Sequence, residues 1–518
     1  MIWRIAKKEL LLNLMTFKFA VGTVLCVVLM AVFTYVLLGD YQQRLESYNK
    51  AVAKNADELR QVRVYKNIKP TIYRPPEVLS IFSEGVEKQL GNSVKIELSS
   101  VPEISAGYAE DNPLLSIFPS LDVLLIFKIV LSVLALLLAY DIVSGEKEQG
   151  TLRLMLSGTV PRHQVLLGKL VAGLLILAIP ITMAFIVGLL ILQLSPMVSL
   201  TGSDWARIGL IYLVSLIFIS AMFNFGLLFS CLTKKSSTTL MFVLFFWVIF
   251  VVVIPNASLY LAPQFRPVES AEKIDGEVKA LWDKAKAELE DFYRTLPPGG
   301  AESDGRGAWG EIFVVTAERR AMERKQKEYA FEEPLRVRYA DKVWEVQRRY
   351  FNSLTKQKHL TDNLSRSSPI SLYGNAMSTL SGTGLGSFEN FVKGAKIYRN
   401  EVIEYLRSKT ESFSSPSHFS IAEEEDVERY TKAIQPVLSG LAKGEYLDRL
   451  FENLKKWIQQ KEKDSVPLDL RDFPGFTYKP ETAAESIGRA LLDLALLIFV
   501  NVLFFLLSFV AFLRYDVR

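Results

Sequence analysis

The chain has 518 residues, half of them hydrophobic, and a formal net charge of only +4. That balance gives no electrostatic footprint for a nucleic-acid partner. Two cysteines, Cys26 and Cys231, both inside apolar runs, imply no disulfide framework. Charge is nearly absent from several runs of about 20 residues and dense between them, the pattern of a polytopic membrane protein.

Residues 1–16 mix Arg4, Lys7, Lys8 and Glu9 with Trp3, Ile5 and Leu10 to Leu12. They read as an amphipathic helix lying at a membrane surface, although a basic flank that only sets orientation has the same composition. Residues 17–39 form the first span. Its apolar run is too long for a typical signal-peptide core and no small-residue cleavage site precedes Asp40, so an uncleaved helix is expected. In residues 40–120, a polar segment, Gln42 to Lys66 has helical periodicity, Pro70, Pro75 and Pro76 break it, and the alternation from Ser93 to Leu98 suggests a short strand.

The second span, 121–143, is interrupted by Lys128. A lysine at that depth marks a substrate path or snorkels to the nearby interface. A polar loop, 144–169, precedes the third span, 170–194, in which Pro180 predicts a kink. A short loop, 195–206, leads to the fourth span, 207–232, which carries Asn224. A turn at 233–237 holds Lys234 and Lys235, and the fifth span covers 238–260. The second polar segment, 261–486, is long enough for a core of its own. It reads as helical over Ser270 to Arg294, Gly310 to Lys358, Phe388 to Leu406 and Glu424 to Gln460. Pro297 to Gly307 interrupts it, and Pro467 to Pro480 is extended and aromatic-rich. The sixth span, 487–513, is followed by a tail at 514–518.

The expected fold class is therefore an all-α polytopic membrane protein with six transmembrane helices. A large, mainly helical extracytoplasmic domain lies between helices five and six, and a smaller mixed one between helices one and two. Arg4, Lys7, Lys8, Lys147, Arg153, Arg162, Lys169, Lys234, Lys235, Arg514 and Arg518 fall on one side, while the short loop 195–206 has no basic residue. The bias puts both termini in the cytoplasm. No Gly-x-x-x-x-Gly-Lys-Ser/Thr sequence occurs, and Gly382, Gly384 and Gly386 resemble a phosphate loop only weakly. The three histidines, His163, His359 and His418, lie far apart and lack metal-ligand spacing. No catalytic residue, metal or bound cofactor is assigned to this chain. Any ATP-driven action requires a separate subunit on the short cytoplasmic loops.

The polar loop is the best-placed receiver of such force. Gly145 and Gly150 permit tight turning, and Gly150 to Leu156 can form a short helix with Leu152, Leu154 and Leu156 available for packing. Glu146, Glu148 and Arg153 offer charges to a docking partner, with Gly150 and Thr151 between them. Arg162 and Lys169 can hold the next helix end at the headgroups. A solvated turn with ordinary positive-inside charges is the plainer reading of the same residues.

The run Asp141-Ile-Val-Ser-Gly-Glu146-Lys-Glu148-Gln-Gly150-Thr151-Leu-Arg153, then Ser157, Pro161-Arg162 and Gly168-Lys169, resembles the signature of type-2 ABC exporter permeases. Leu364 to Ile370, Gly382 to Gly384 with Phe391, Arg74-Pro75-Pro76, Leu121-Asp122 and the ending Phe512 to Arg518 resemble a branch with enlarged loops, often described as multi-copper-enzyme-maturation permeases. The resemblance implies a coupling helix that enters a cleft on a cytoplasmic ABC ATPase, with two ATPase copies carrying ATP and Mg²⁺. It also implies a second permease copy, the same chain or a related one, in a bacterial inner membrane. A periplasmic protein is a further candidate partner. Glu146, Glu148, Gly150, Thr151, Arg153, Arg162 and Lys169 are the candidate coupling residues, and Lys128 and Asn224 are candidates for a translocation path. The cargo is not legible.

Two function classes follow. One is export of a substrate. The other is mechanotransmission, in which the motor works the extracytoplasmic segments on a periplasmic partner and nothing crosses. A membrane enzyme is disfavoured by the lack of a His-Glu-x-x-His motif or paired intramembrane aspartates, and a secondary transporter by the scarcity of intramembrane charge beyond Lys128 and Asp493.

Overall fold

The computed structural model describes residues 2–88, 90–98, 103–105, 123–156, 161–296, 319–439 and 445–515. Leu121, Asp122, Ser157, the break from Pro297 to Gly307, the start of the stretch at Gly310 and the last residues, Asp516 to Arg518, lie outside them.

The helices in chain order are α1 (Ile2–Leu14), α2 (Phe17–Arg60), α3 (Val123–Glu148), α4 (Thr151–Leu156), α5 (Arg162–Gln193), α6 (Gly202–Leu232) and α7 (Ser236–Phe265). They continue with α8 (Ala271–Thr295), α9 (Arg319–Ser365), α10 (Pro369–Leu380), α11 (Leu385–Lys409), α12 (Glu424–Leu438), α13 (Glu445–Asp464) and α14 (Ala483–Leu513). Among them α2, α3, α5, α6, α7 and α14 are long and apolar enough to cross a bilayer. The protein is a mostly helical, multi-pass membrane protein.

Local chemistry sets several boundaries. Thr16 caps α2, its Oγ1 accepting from Phe19 N at 3.3 Å. Capping boxes start α6 at Thr201 and Asp204, and α14 at Thr482 and Glu485. The periodicity read over Gln42 to Lys66 belongs to α2 as far as Arg60, where that helix ends after 44 unbroken residues, and Lys66 lies in a separate 3-10 turn, Tyr65–Asn67. In α7 a π turn at Ile249–Val253 precedes Pro255, whose ring cannot donate to the preceding turn. A second π segment, Ile126–Leu131, widens α3 around Lys128.

α6 lies at the centre of the bundle, packed along α14, α3 and α10. Small residues bring the helices close. A Cβ at Gly173 of α5 would fall 1.9 Å from Phe223 Cζ of α6, and one at Gly226 would fall 2.6 Å from Ala139 Cβ of α3.

The segment after α7 is not wholly a separate domain. α10 inserts its buried face, including Ile370, Leu372, Tyr373, Ala376, Met377 and Leu380, into the same core as the spans. Tyr373 stacks on Phe218 with ring centroids 4.3 Å apart and shares a 2.9 Å hydrogen bond with Ser215. Ser368 Oγ donates to the Phe250 carbonyl, at 2.8 Å, in the π turn of α7.

The two polar segments also share a core. Strands β1 (Thr71–Tyr73), β2 (Ser93–Lys95) and β3 (Glu103–Ser105) form an antiparallel sheet in that order. Ile72, Val94 and Ile96 pack against Phe391, Tyr398, Val402 and Leu406 of α11. Helices α8 and α9 pair antiparallel, with Glu277 meeting Arg349 and Glu288 meeting Arg338. Phe292 stacks on Phe331 between them, with centroids 3.9 Å apart.

Candidate functional site

The loop between α3 and α5 is a latched hairpin, not a solvated turn. α3 loosens at 140–143, re-forms over Ser144–Glu148 and stops at Gly150, whose φ of +75° reverses the chain into α4. The backbone N–H groups of Val143 and Ser144 both donate to Ser230 Oγ of α6, each at 3.0 Å. Lys147 caps the C-terminus of α6, donating to the Thr233 carbonyl at 3.0 Å and to the carbonyl of Cys231.

The candidate residues separate into two groups. Lys169 and Glu146 point inward. Lys169 is buried, and its Nζ donates to Glu146 Oε1 at 2.7 Å, to Glu9 Oε1 at 3.0 Å and to the Ile142 carbonyl at 3.2 Å. One ammonium therefore ties α1, α3 and α5 together, and Glu146 Oε2 is buried without a hydrogen-bond partner. Removing one member of such a buried network leaves uncompensated charge. Arg162 is also structural. Its Nη1 donates to the carbonyls of Leu513 at 2.8 Å and Tyr515 at 3.0 Å, capping α14.

Glu148, Gly150, Thr151 and Arg153 form the outward group, all exposed. Glu148 Oε2 accepts from Ser236 N at 3.0 Å and so caps the start of α7. Of the three leucines read as packing residues, Leu152 is buried and Leu154 is 78 % exposed, while the side chain of Leu156 lies outside the described set. The hairpin thus presents Thr151, Arg153 and Leu154 on a short helix whose base is fastened to α1, α5, α6 and α7. Lys147 is an anchoring residue of the hairpin that the sequence did not single out, because its charge reads like one more positive-inside lysine.

The two candidates for a path lie elsewhere in the bundle. Asn224 Nδ2 donates to Asn501 Oδ1 at 2.6 Å, and Ser508 Oγ to the Asn224 carbonyl at 3.4 Å, so Asn224 clamps α6 to α14. Lys128 reaches α10, its Nζ lying 2.6 Å from where a Gly374 Cβ would stand. The structure does not bring these two residues together with the hairpin.

At the opposite end of the bundle, charged groups join the polar segments to the spans. Arg44 of α2 donates to Asp40, Glu87 and Ser80, each at 3.0 Å. Gly382 and Gly384, weakly reminiscent of a phosphate loop, flank Thr383, which locks the segments together. Val86 N donates to the Thr383 carbonyl at 3.0 Å and Thr383 Oγ1 to the Ser83 carbonyl at 2.8 Å. Burial, reinforced by the neighbouring Glu87 carboxylate, pushes the Glu77 carboxyl up to about 7 beside this joint. Among the described residues no group of His, Cys, Asp or Glu has the arrangement of a metal site.

Six apolar spans, with a latched polar hairpin between the second and third, define a polytopic membrane subunit. The family model for ABC-2 family transporter protein matches residues 3–517, and the chain belongs to that family. It is 48 % identical over 56 residues to the probable ABC transporter permease protein NosY of Stutzerimonas stutzeri, covering 11 % of this chain and 20 % of that protein. It is 33 % identical over 149 residues to the protein of the same name from Pseudomonas aeruginosa, covering 27 % of this chain and 53 % of that one. The chain thus spans about half the length of the second of these relatives and less of the first. It is thus a multi-pass membrane protein of the ABC-2 transporter family.

Proposed function

We propose that this chain couples ATP hydrolysis on a separate cytoplasmic ATPase to export through the membrane. The observation that carries the reading is the hairpin: an exposed helix bearing Thr151, Arg153 and Leu154 on a base tied into four other helices. A docking surface that must transmit force needs a rigid anchorage, and a solvated turn does not. On this reading two permease copies pair, the same chain twice or with a related one. Each docks on one ATPase, and nucleotide with Mg²⁺ sits on the partner. The basic bias puts the hairpin and both termini in the cytoplasm of a bacterium, with the two polar segments outside its inner membrane. Lys128 and Asn224 are the residues to probe for a path. In the test, replacing Glu146 and Arg153 together with alanine abolishes ATPase binding or stimulation while membrane insertion persists. Full co-purification and full stimulation by that double variant would sink the assignment.

Mechanotransmission is the second reading, favoured by the insertion of α10 among the spans and the shared core of the polar segments. Motion of the spans then reaches those segments directly, and a periplasmic protein receives it. Reconstituted vesicles separate the two. ATP-dependent movement of a solute or lipid supports export, and hydrolysis governed by an added external protein supports transmission.

A further inference from the structure

α1 has one face committed to the bundle. Ala6 is buried, Ile5, Leu10 and Leu14 pack on the core, and Glu9 reaches Lys169. A Cβ at Gly168 of α5 would fall 2.8 Å from Ile5 Cγ2, so the helices are in close contact. The opposite arc is exposed and of mixed character. Arg4, Lys7 and Lys8 alternate on it with Trp3, Leu11, Leu12 and Met15. Among the described residues none of these three bases has an acidic partner within ion-pair distance. Water suits the bases but not Trp3 and the leucines, and hydrocarbon suits only the latter. The headgroup level of a bilayer satisfies both, because basic side chains snorkel to phosphates while apolar ones enter the acyl boundary.

We infer that this arc is a docking surface for anionic phospholipid, and that its occupancy is felt at the hairpin. The route is short. Seating α1 on the membrane fixes Glu9, Glu9 and Glu146 share the buried Lys169 ammonium, and Glu146 belongs to the hairpin. Lys169 therefore reports lipid contact on α1 to a loop more than a hundred positions away in sequence. The consequence for ATPase coupling rests on the proposed function, but the surface and the route do not.

The test uses the full chain in vesicles of phosphatidylcholine alone or mixed with phosphatidylglycerol. An environment-sensitive dye is placed on L11C, since Cys26 and Cys231 are buried. The expected result is a more apolar dye environment with phosphatidylglycerol, reversed by salt and lost in R4Q/K7Q/K8Q. Each basic residue near an anionic surface is worth about fivefold in partition, so the triple change lowers it on the order of a hundredfold. An identical dye response in both lipids, or one that persists in the triple variant, overturns the surface. A spin label on L154C reads the route. Its mobility falls with phosphatidylglycerol in the otherwise unchanged chain, and E9Q removes that dependence while the dye response stays. Lipid dependence that survives E9Q overturns the route. Neither readout uses the ATPase, so a failure here is distinct from a failure of the coupling reading.

Discussion

Arg366 holds Asp493 through two parallel hydrogen bonds, Nε to Oδ1 at 2.6 Å and Nη2 to Oδ2 at 3.1 Å. Asp493 is buried within α14, and Arg366 stands between α9 and α10. The pair therefore fixes the point at which the polar segment turns into the bundle. Replacing Asp493 with alanine strands a guanidinium against the spans and is expected to cost about 3 kcal/mol. The measurement is the thermal unfolding midpoint of the purified protein. The exchange R366D/D493R should recover part of the loss, and recovery of none would mean that packing, not pairing, sets the cost.

The inward and outward hairpin residues should behave differently. Glu146→Ala leaves Lys169 with one carboxylate instead of two and is expected to lower the unfolding midpoint. Leu154→Ala removes an exposed side chain and should leave the midpoint unchanged while weakening ATPase binding about tenfold, as a docking anchor does. Titration of the ATPase against each variant, beside its melting curve, checks the division.

Two buried groups give opposite pH trends. His418 is buried between Tyr329 and Phe413, and burial, with the nearby Lys66 charge, pulls its imidazole down to about 4. Its contribution to stability is full above the ordinary histidine value of 6.5 and is lost as pH falls from there through about 4. Glu77, raised to about 7, contributes fully below the ordinary glutamate value of 4.5 and loses that contribution as pH rises through about 7. His418→Phe should flatten the acid limb of the stability profile, and Glu77→Gln the neutral limb. Unfolding midpoints across that range supply the check.

Gly85 has φ +56°, and a Cβ there would meet the Thr383 carbonyl oxygen at 2.5 Å. Gly85→Ala therefore pries apart the joint between the two polar segments and should cost about 2 kcal/mol. Gly150→Ala carries the backbone strain but meets open space, so it should cost about 1 kcal/mol. Equal losses in the two variants would show that crowding at Thr383 contributes nothing.

The six long apolar helices were legible because each is a long run with little charge, and nothing in a soluble domain imitates that. α10 was not. At 12 residues it is too short to cross a bilayer, and its Ile370, Tyr373 and Met377 have the spacing of any buried surface helix. Only the partners across space, Phe218 and Phe250, reveal that it enters the bundle. The hairpin was legible as a segment, from its glycines and its charge between two spans. Its internal division was not, since Glu146 and Glu148 are equivalent as letters. Which carboxylate meets Lys169 depends on the turn at 140–143, where the helix loses its register.

The unbroken α2 has one more consequence. A helix of 44 residues is about 66 Å long, roughly twice the hydrocarbon thickness of a bilayer. Its collar of Asp40 and Arg44 is clamped to Glu87 and Ser80, and its far end runs beside β1. Such a rod is a lever with its fulcrum at the membrane edge. The arm from Arg44 to Arg60 is about 24 Å long, so a tilt of about 5° about that fulcrum carries its end by about 2 Å, enough to shift the side-chain contacts it makes beside the sheet.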